Sequence, residues 1–247
     1  MSDVVAVVLL TLVGSVVGLS GGLIFLFVKP WSHALAKYSI PFAAGVLMTV
    51  ALTGLIPEAT HLIGESAYLY ILASFFAAYL FENLFFDLHH HDCDQPDHHH
   101  TGSIPLIIFG DTIHNFIDGV AIAAAYLTNP GLGLVTAIST FLHEVPHEVG
   151  DFGIMLKSNF RPKQVILVNL ASASTSFAGA FMVLFLINND SVNGILLAIA
   201  AGLFLYLGAS DFLPKAVSRQ DKIKSILVIL IGIVTMSVAM RLIPHHS

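Results

Sequence analysis

The chain has 247 residues, of which 56% are hydrophobic and only 11% charged, with a mean hydropathy of +0.84 and a formal net charge of -6. Soluble domains carry roughly 25% charged residues, so this composition excludes an ordinary soluble domain and calls for an integral membrane protein. No basic patch points to nucleic acid, and the single cysteine, Cys93, excludes an internal disulfide while remaining a soft metal ligand.

Apolar runs of about 20 residues, the length that crosses a bilayer, occur eight times. In chain order they are Val4–Val28, Ile40–Ile63, Tyr68–Phe86, Ile104–Leu127, Gly131–Leu156, Val165–Ile187, Val192–Leu213 and Ile223–Ile243, numbered here as spans one to eight. The first is too long for a signal-peptide core and is followed by no small-residue cleavage pattern. Little chain lies between the spans, so residues 1–247 read as a single transmembrane domain. Lys29, Lys37, Lys157, Arg161, Lys163, Lys215, Arg219, Lys222 and Lys224 fall on one face of this layout and only Arg241 on the other. The positive-inside rule makes the Lys-rich face cytoplasmic, so both termini are expected to be extracytoplasmic and the 87–103 loop cytoplasmic.

Span two ends with Glu58 and His61. Near the outer surface they either reach for headgroups or strip water from an entering cation. Glu82 in span three and Asp211 in span seven read more simply as a snorkelling acid and a cap. The 87–103 loop offers His89, His90, His91, Cys93, His98, His99 and His100 among acids. Such a segment forms no packed core. It is either a solvated linker or a labile site for a borderline metal.

Span four carries Asp111, His114, Asn115 and Asp118 at i, i+3, i+4 and i+7, on one stripe of a helix. On span five Glu144, His147, Glu148 and Asp151 repeat that spacing, and His143 stands four residues before His147. Only Thr128-Asn129-Pro130 separates the two spans, so they run antiparallel and their polar faces meet at similar depth. An ionised group at mid-bilayer costs roughly 2.5 to 3.5 kcal/mol on insertion scales. Asp111, His114, Asp118, His143, Glu144, His147, Glu148 and Asp151 have almost no basic partner there, and a cation supplies the missing charge. Imidazole with carboxylate suits zinc, ferrous iron or manganese, whereas Cu(I) would want thiol or thioether pairs. Pro146 frees the carbonyl of residue 142 and bends the span, which a membrane tolerates beside a hydrated cavity.

His143-Glu144-Val145-Pro146-His147 also satisfies the H-E-x-x-H pattern of zinc metalloproteases, so an intramembrane protease is the alternative. Proline between the histidines and a second cluster as rich in ligands as the motif itself argue against it.

His114-Asn115-Phe116-x-Asp118-Gly119 with His143-Glu144-x-Pro146-His147-Glu148-x-Gly150-Asp151-Phe152 resembles the ZIP (Zrt/Irt-like) metal transporters, and the extended second motif resembles their LZT subfamily. Pro57-Glu58-Ala59 with His61 and Ala201-Gly202-Leu203-Phe204-Leu205-Tyr206 extend the likeness. The resemblance implies an all-α, eight-helix membrane bundle without catalytic cofactor that moves divalent metal into the cytosol by alternating access, working as a homodimer in the lipid bilayer of the cell (inner) membrane. The implied cargo is Zn2+, with Fe2+, Mn2+ and Cd2+ as alternatives. It further implies a binuclear centre with His114, Asp118 and His147 at one position, and Asn115, Asp118, Glu144 and His143 nearest the other. The chain departs from some bacterial members in span six, where Asn169, Ser172, Ser174, Thr175 and Ser176 stand in place of a carboxylate, and many relatives have an acid where Lys215 stands here.

Overall fold

A computed structural model describes residues 2–86, 104–186, 189–217 and 222–243, and no strand occurs among them. The loop candidates His89, His90, His91, Cys93, His98, His99 and His100 lie outside the described residues. The first helix, α1, runs as Asp3–Thr11, a π-helical turn Leu12–Val16 and Ser20–Phe27. Helix α2 enters as Lys29–Val50, passes a second π-helical turn at Ala51–Leu55 and leaves as Ile56–Ile63. Then follow α3 (Ser66–Phe86), α4 (Ile104–Thr128), α5 (Pro130–Lys157) and α6 (Pro162–Leu186). Helix α7 comprises Asp190–Leu205, a π-helical stretch Tyr206–Phe212 and Leu213–Val217, and α8 spans Lys222–Leu242.

Seven of these stretches are long and apolar enough to cross a membrane: Asp3–Phe27, Lys37–Ile63, Ser66–Leu84, Ile104–Thr128, Pro162–Leu186, Asp190–Ala216 and Lys222–Leu242. The chain is a multi-pass membrane protein built as a helical bundle. The expected fifth span, Gly131–Leu156, is a continuous 28-residue helix, long enough to cross but diluted by its own polar residues. At about 1.5 Å rise per residue its length exceeds a hydrocarbon core of roughly 30 Å.

Local chemistry sets the joints. Asn129 caps α5, its side-chain oxygen accepting from the amides of Gly131 at 2.8 Å and Leu132 at 3.2 Å, while Pro130 occupies the first turn where no amide is needed. Asn189 caps α7 in the same way, accepting from Ser191 N at 2.8 Å. Gly64, at φ 65°, turns the chain from α2 into α3 through a conformation costly for other residues.

Small residues then let helices touch backbone to backbone, the packing mode that replaces the hydrophobic effect inside lipid. A Cβ on Gly119 of α4 would strike the carbonyl of Ser176 on α6, and one on Gly179 of α6 would strike the carbonyl of Phe116 on α4. Thr175 Oγ1 reinforces that pair by donating to Thr112 O at 2.9 Å. Gly45 of α2 and Gly232 of α8 form an equivalent close approach. Helix α5 is flanked by α1, α2 and α4, so the polar helix stands inside the bundle.

Candidate metal centre

Antiparallel α4 and α5 turn their polar stripes toward each other, because an apolar exterior leaves the interior as the cheaper place for acids and imidazoles. Asn115, Asp118, His143, Glu144 and Glu148 are all buried. One ligand atom each from His114, Asp118, His143 and Glu144 lies within 4.8 Å of the other three. His143 Nε2 is 3.1 Å from Asp118 Oδ2 and 3.1 Å from His114 Nε2. His114 Nε2 is 3.3 Å from Glu144 Oε1 and 3.6 Å from Asp118 Oδ2, and His143 Nε2 is 4.0 Å from that Glu144 oxygen. Ligand bonds of about 2.0–2.1 Å in a tetrahedron place the ligand atoms roughly 3.3 Å apart, so most of these separations already suit a zinc-sized ion. Apart from these imidazoles, the carboxylates of Asp118 and Glu144 find no hydrogen-bond partner among the described residues.

The second ring nitrogen of His143 faces the carbonyl of Ser139 at 3.0 Å. A carbonyl only accepts, so Nδ1 carries the proton and Nε2 presents its lone pair to the cluster. His147 lies outside the four-atom group. Its ring stacks on His114 with centroids 4.8 Å apart, and its buried Nε2 has no partner among the described residues. The resemblance implied His147 beside His114 with His143 at another position. In the structure His143 Nε2 is as near to His114 Nε2 as to Asp118 Oδ2, at 3.1 Å each. Asn115 donates to Asp111 Oδ1 at 3.0 Å and to Asp111 O at 3.2 Å, which ties Asp111 to the same face one turn away. Asp151 is partly exposed further along α5. Glu58 and His61 stand apart from the cluster: His61 Nδ1 is 4.0 Å from Glu58 Oε1, and His61 is 72% exposed.

Several supporting residues carry no signature at the sequence level. Ser15, in the π-helical turn of α1, donates to Asn115 Oδ1 at 3.2 Å. Gly18 lies so close to α5 that a Cβ there would sit 2.7 Å from the Cβ of Glu144. Phe204 packs edge-on against His143 at 5.3 Å, and Phe212 against His147 at 5.2 Å. A serine within Leu12–Val16 and glycines at 14, 18, 21 and 22 were the available hint, since hydroxyls and small residues in a span mark a helix interface.

The profile of the ZIP zinc transporter family matches residues 103–240, which contain both polar stripes. The chain belongs to this ZIP family. It is 41% identical over 116 residues to the human zinc transporter ZIP4, covering 47% of this chain and 18% of that relative. It is 35% identical over 130 residues to the zinc transporter foi of Drosophila melanogaster, covering 53% and 18%, and 39% identical over 111 residues to human zinc transporter ZIP6, covering 44% and 15%. The matched stretch is thus less than a fifth of the length of these relatives. These relatives are named zinc transporters, and the protease reading of His143–His147 finds no support among them.

Proposed function

We propose that the chain carries a divalent cation, zinc foremost, through the membrane to the cytosol by way of the seam between α4 and α5. The observation that carries this reading is the convergence of two imidazole nitrogens and two buried carboxylates, from His114, Asp118, His143 and Glu144, within 4.8 Å inside an apolar bundle. Zinc takes such mixed nitrogen and oxygen ligands, and ferrous iron, manganese and cadmium remain competitors for the same set. His147 and Asn115 stand ready to join as the shell rearranges. In this reading α5 crosses the membrane too and brings the spans to eight, both termini are extracytoplasmic, and the chain works as a homodimer in the cell membrane. Pro146 leaves the Leu142 carbonyl without its helical partner and gives α5 a place to bend, so that the ligand set opens alternately to either side. Release follows when one ligand leaves the shell, and acid competes because imidazole ligates only in its neutral form.

The test is initial zinc uptake into sealed proteoliposomes. His114→Ala and His143→Ala each remove one of the converging nitrogens and should lower uptake by at least ten-fold at equal insertion. Near-normal uptake by both variants would end the assignment. Running iron, manganese and cadmium beside zinc ranks the cargo.

A further inference from the structure

Helix α1 lies in the groove between α4 and α5. A Cβ on its Gly14 would stand 2.8 Å from Ile122 Cδ1 on α4 and 3.3 Å from the Cβ of Thr140 on α5, so the missing side chain is what admits the helix. Next to Gly14, within the π-helical turn Leu12–Val16, Ser15 is fully buried. Its hydroxyl donates to Asn115 Oδ1 on α4 at 3.2 Å. The other end of Asn115 fixes the sense of that bond. The amide nitrogen faces Asp111 O at 3.2 Å and Asp111 Oδ1 at 3.0 Å, and a backbone carbonyl only accepts. The amide therefore turns its NH2 group to Asp111 and its oxygen to Ser15. Swinging it round forfeits these contacts together, where no bulk water replaces them. An amide oxygen has two lone pairs, and the bond from Ser15 engages one. The other is held in a set place, on the residue that follows His114 and three residues before Asp118.

We propose that Ser15 is a positioning residue of the cation site, pinning the Asn115 amide so that the ligand set keeps one size and prefers zinc to the larger cadmium. The inference rests on the transport reading above and deepens it, by naming a residue that sharpens its selectivity. Ligand sets discriminate between cations through cavity size, ligand number and rigidity. An amide free to swing offers its oxygen to a larger ion as that ion spreads His114 and Asp118 apart. A pinned amide does not make that adjustment, and the cost falls on cadmium rather than on zinc. Ser15 touches no ligand atom of the four-atom group itself and acts through Asn115.

The test uses the full chain in lipid nanodiscs, stripped of metal and titrated calorimetrically with zinc and with cadmium. Removing a partner that orients a ligand changes metal affinity by about 10–100-fold, so Ser15→Ala should narrow the zinc-over-cadmium affinity ratio by about ten-fold. Asn115→Ala takes away the group through which Ser15 acts, and adding Ser15→Ala to it should leave the ratio where Asn115→Ala put it. Thr11→Val is the control, since Thr11 Oγ1 is a buried hydroxyl on the same helix with no hydrogen-bond partner among the described residues, and its loss should not move the ratio. An unchanged ratio in Ser15→Ala, or an equal change with and without Asn115, overturns the proposal and leaves Ser15 a packing residue. Failure of the wild type to take up zinc into proteoliposomes would defeat the transport reading instead, and the binding ratio would still decide the role of Ser15.

Discussion

Helices α5 and α8 invert the arrangement familiar from soluble proteins. Of α8 only Ser225, Gly232, Met236 and Met240 are buried, and Ile226, Leu227, Leu230, Ile231 and Val234 face outward. Helix α5 buries Thr136, Ser139, Thr140, His143, Glu144 and Glu148 instead. The more polar helix occupies the interior because lipid solvates Ile and Leu well and carboxylates badly. What holds α5 in place is consequently not apolar burial alone. Close backbone contact and hydroxyl donors fix its surroundings, so small residues around the seam should matter more than large ones on the periphery.

The largest expected effect follows from that asymmetry. Gly119→Leu drives a side chain into the backbone carbonyl of Ser176, which cannot rotate away. Overpacking typically costs about 1–3 kcal/mol, and a clash with backbone belongs at or beyond the upper end. Size-exclusion profiles and thermal unfolding in detergent should show little folded protein. Ile231→Ala on the outward face of α8 should shift the unfolding midpoint by a degree or two at most. If the two changes were equally harmful, the contrast between seam and periphery would be wrong.

Gly18→Ala should have an intermediate effect with a different signature. The added methyl would stand 2.7 Å from the Glu144 Cβ, so α5 or its carboxylate has to move by some tenths of an ångström. The same methyl would stand 2.9 Å from the backbone carbonyl oxygen of Ser15, so the turn at Gly18 has to give as well and some stability should be lost. Uptake should fall several-fold and zinc affinity with it, because Glu144 Oε1 is one of the converging ligand atoms. A loss of stability without a loss of affinity would assign Gly18 to packing alone.

The polar stripes were legible because charge is rare in this chain and a 3.6-residue period leaves few ways to arrange it. The faces that meet across α4 and α5 follow from spacing and one short turn, and boundaries such as Ile104–Leu127 against Ile104–Thr128 differ by a single residue. Other features depend on neighbours distant in sequence. The π-helical turns at Leu12–Val16, Ala51–Leu55 and Tyr206–Phe212 each contain one glycine, but nothing in the local pattern separates them from regular helix. Ser15 reaches Asn115 across a hundred residues, and the proximity of His143 to His114 depends on how α5 rotates about its axis. The eight expected spans include α5, whereas the seven stretches apolar enough to cross a membrane leave it out, for the reason that makes it interesting, its load of ligands.

The smallest effect is expected from the other histidine-rich region, and it sharpens the comparison by separating ligand number from ligand placement. The six histidines among His89, His90, His91, Cys93, His98, His99 and His100 outnumber the three of the seam, His114, His143 and His147. The sequence reading makes their segment a loop between expected spans, and in water a metal gains less from each ligand than it does in a dry site. Replacing all seven by Ser should leave initial uptake within a few-fold of wild type. The same variant should lose a class of weak, acid-sensitive zinc binding in calorimetry, since several imidazoles must shed protons to ligate. Collapse of transport with the seam still binding zinc would place the loop on the release path. Unchanged stoichiometry would make it a solvated linker, and placement within the bundle, rather than the number of histidines, would then account for metal handling by this chain.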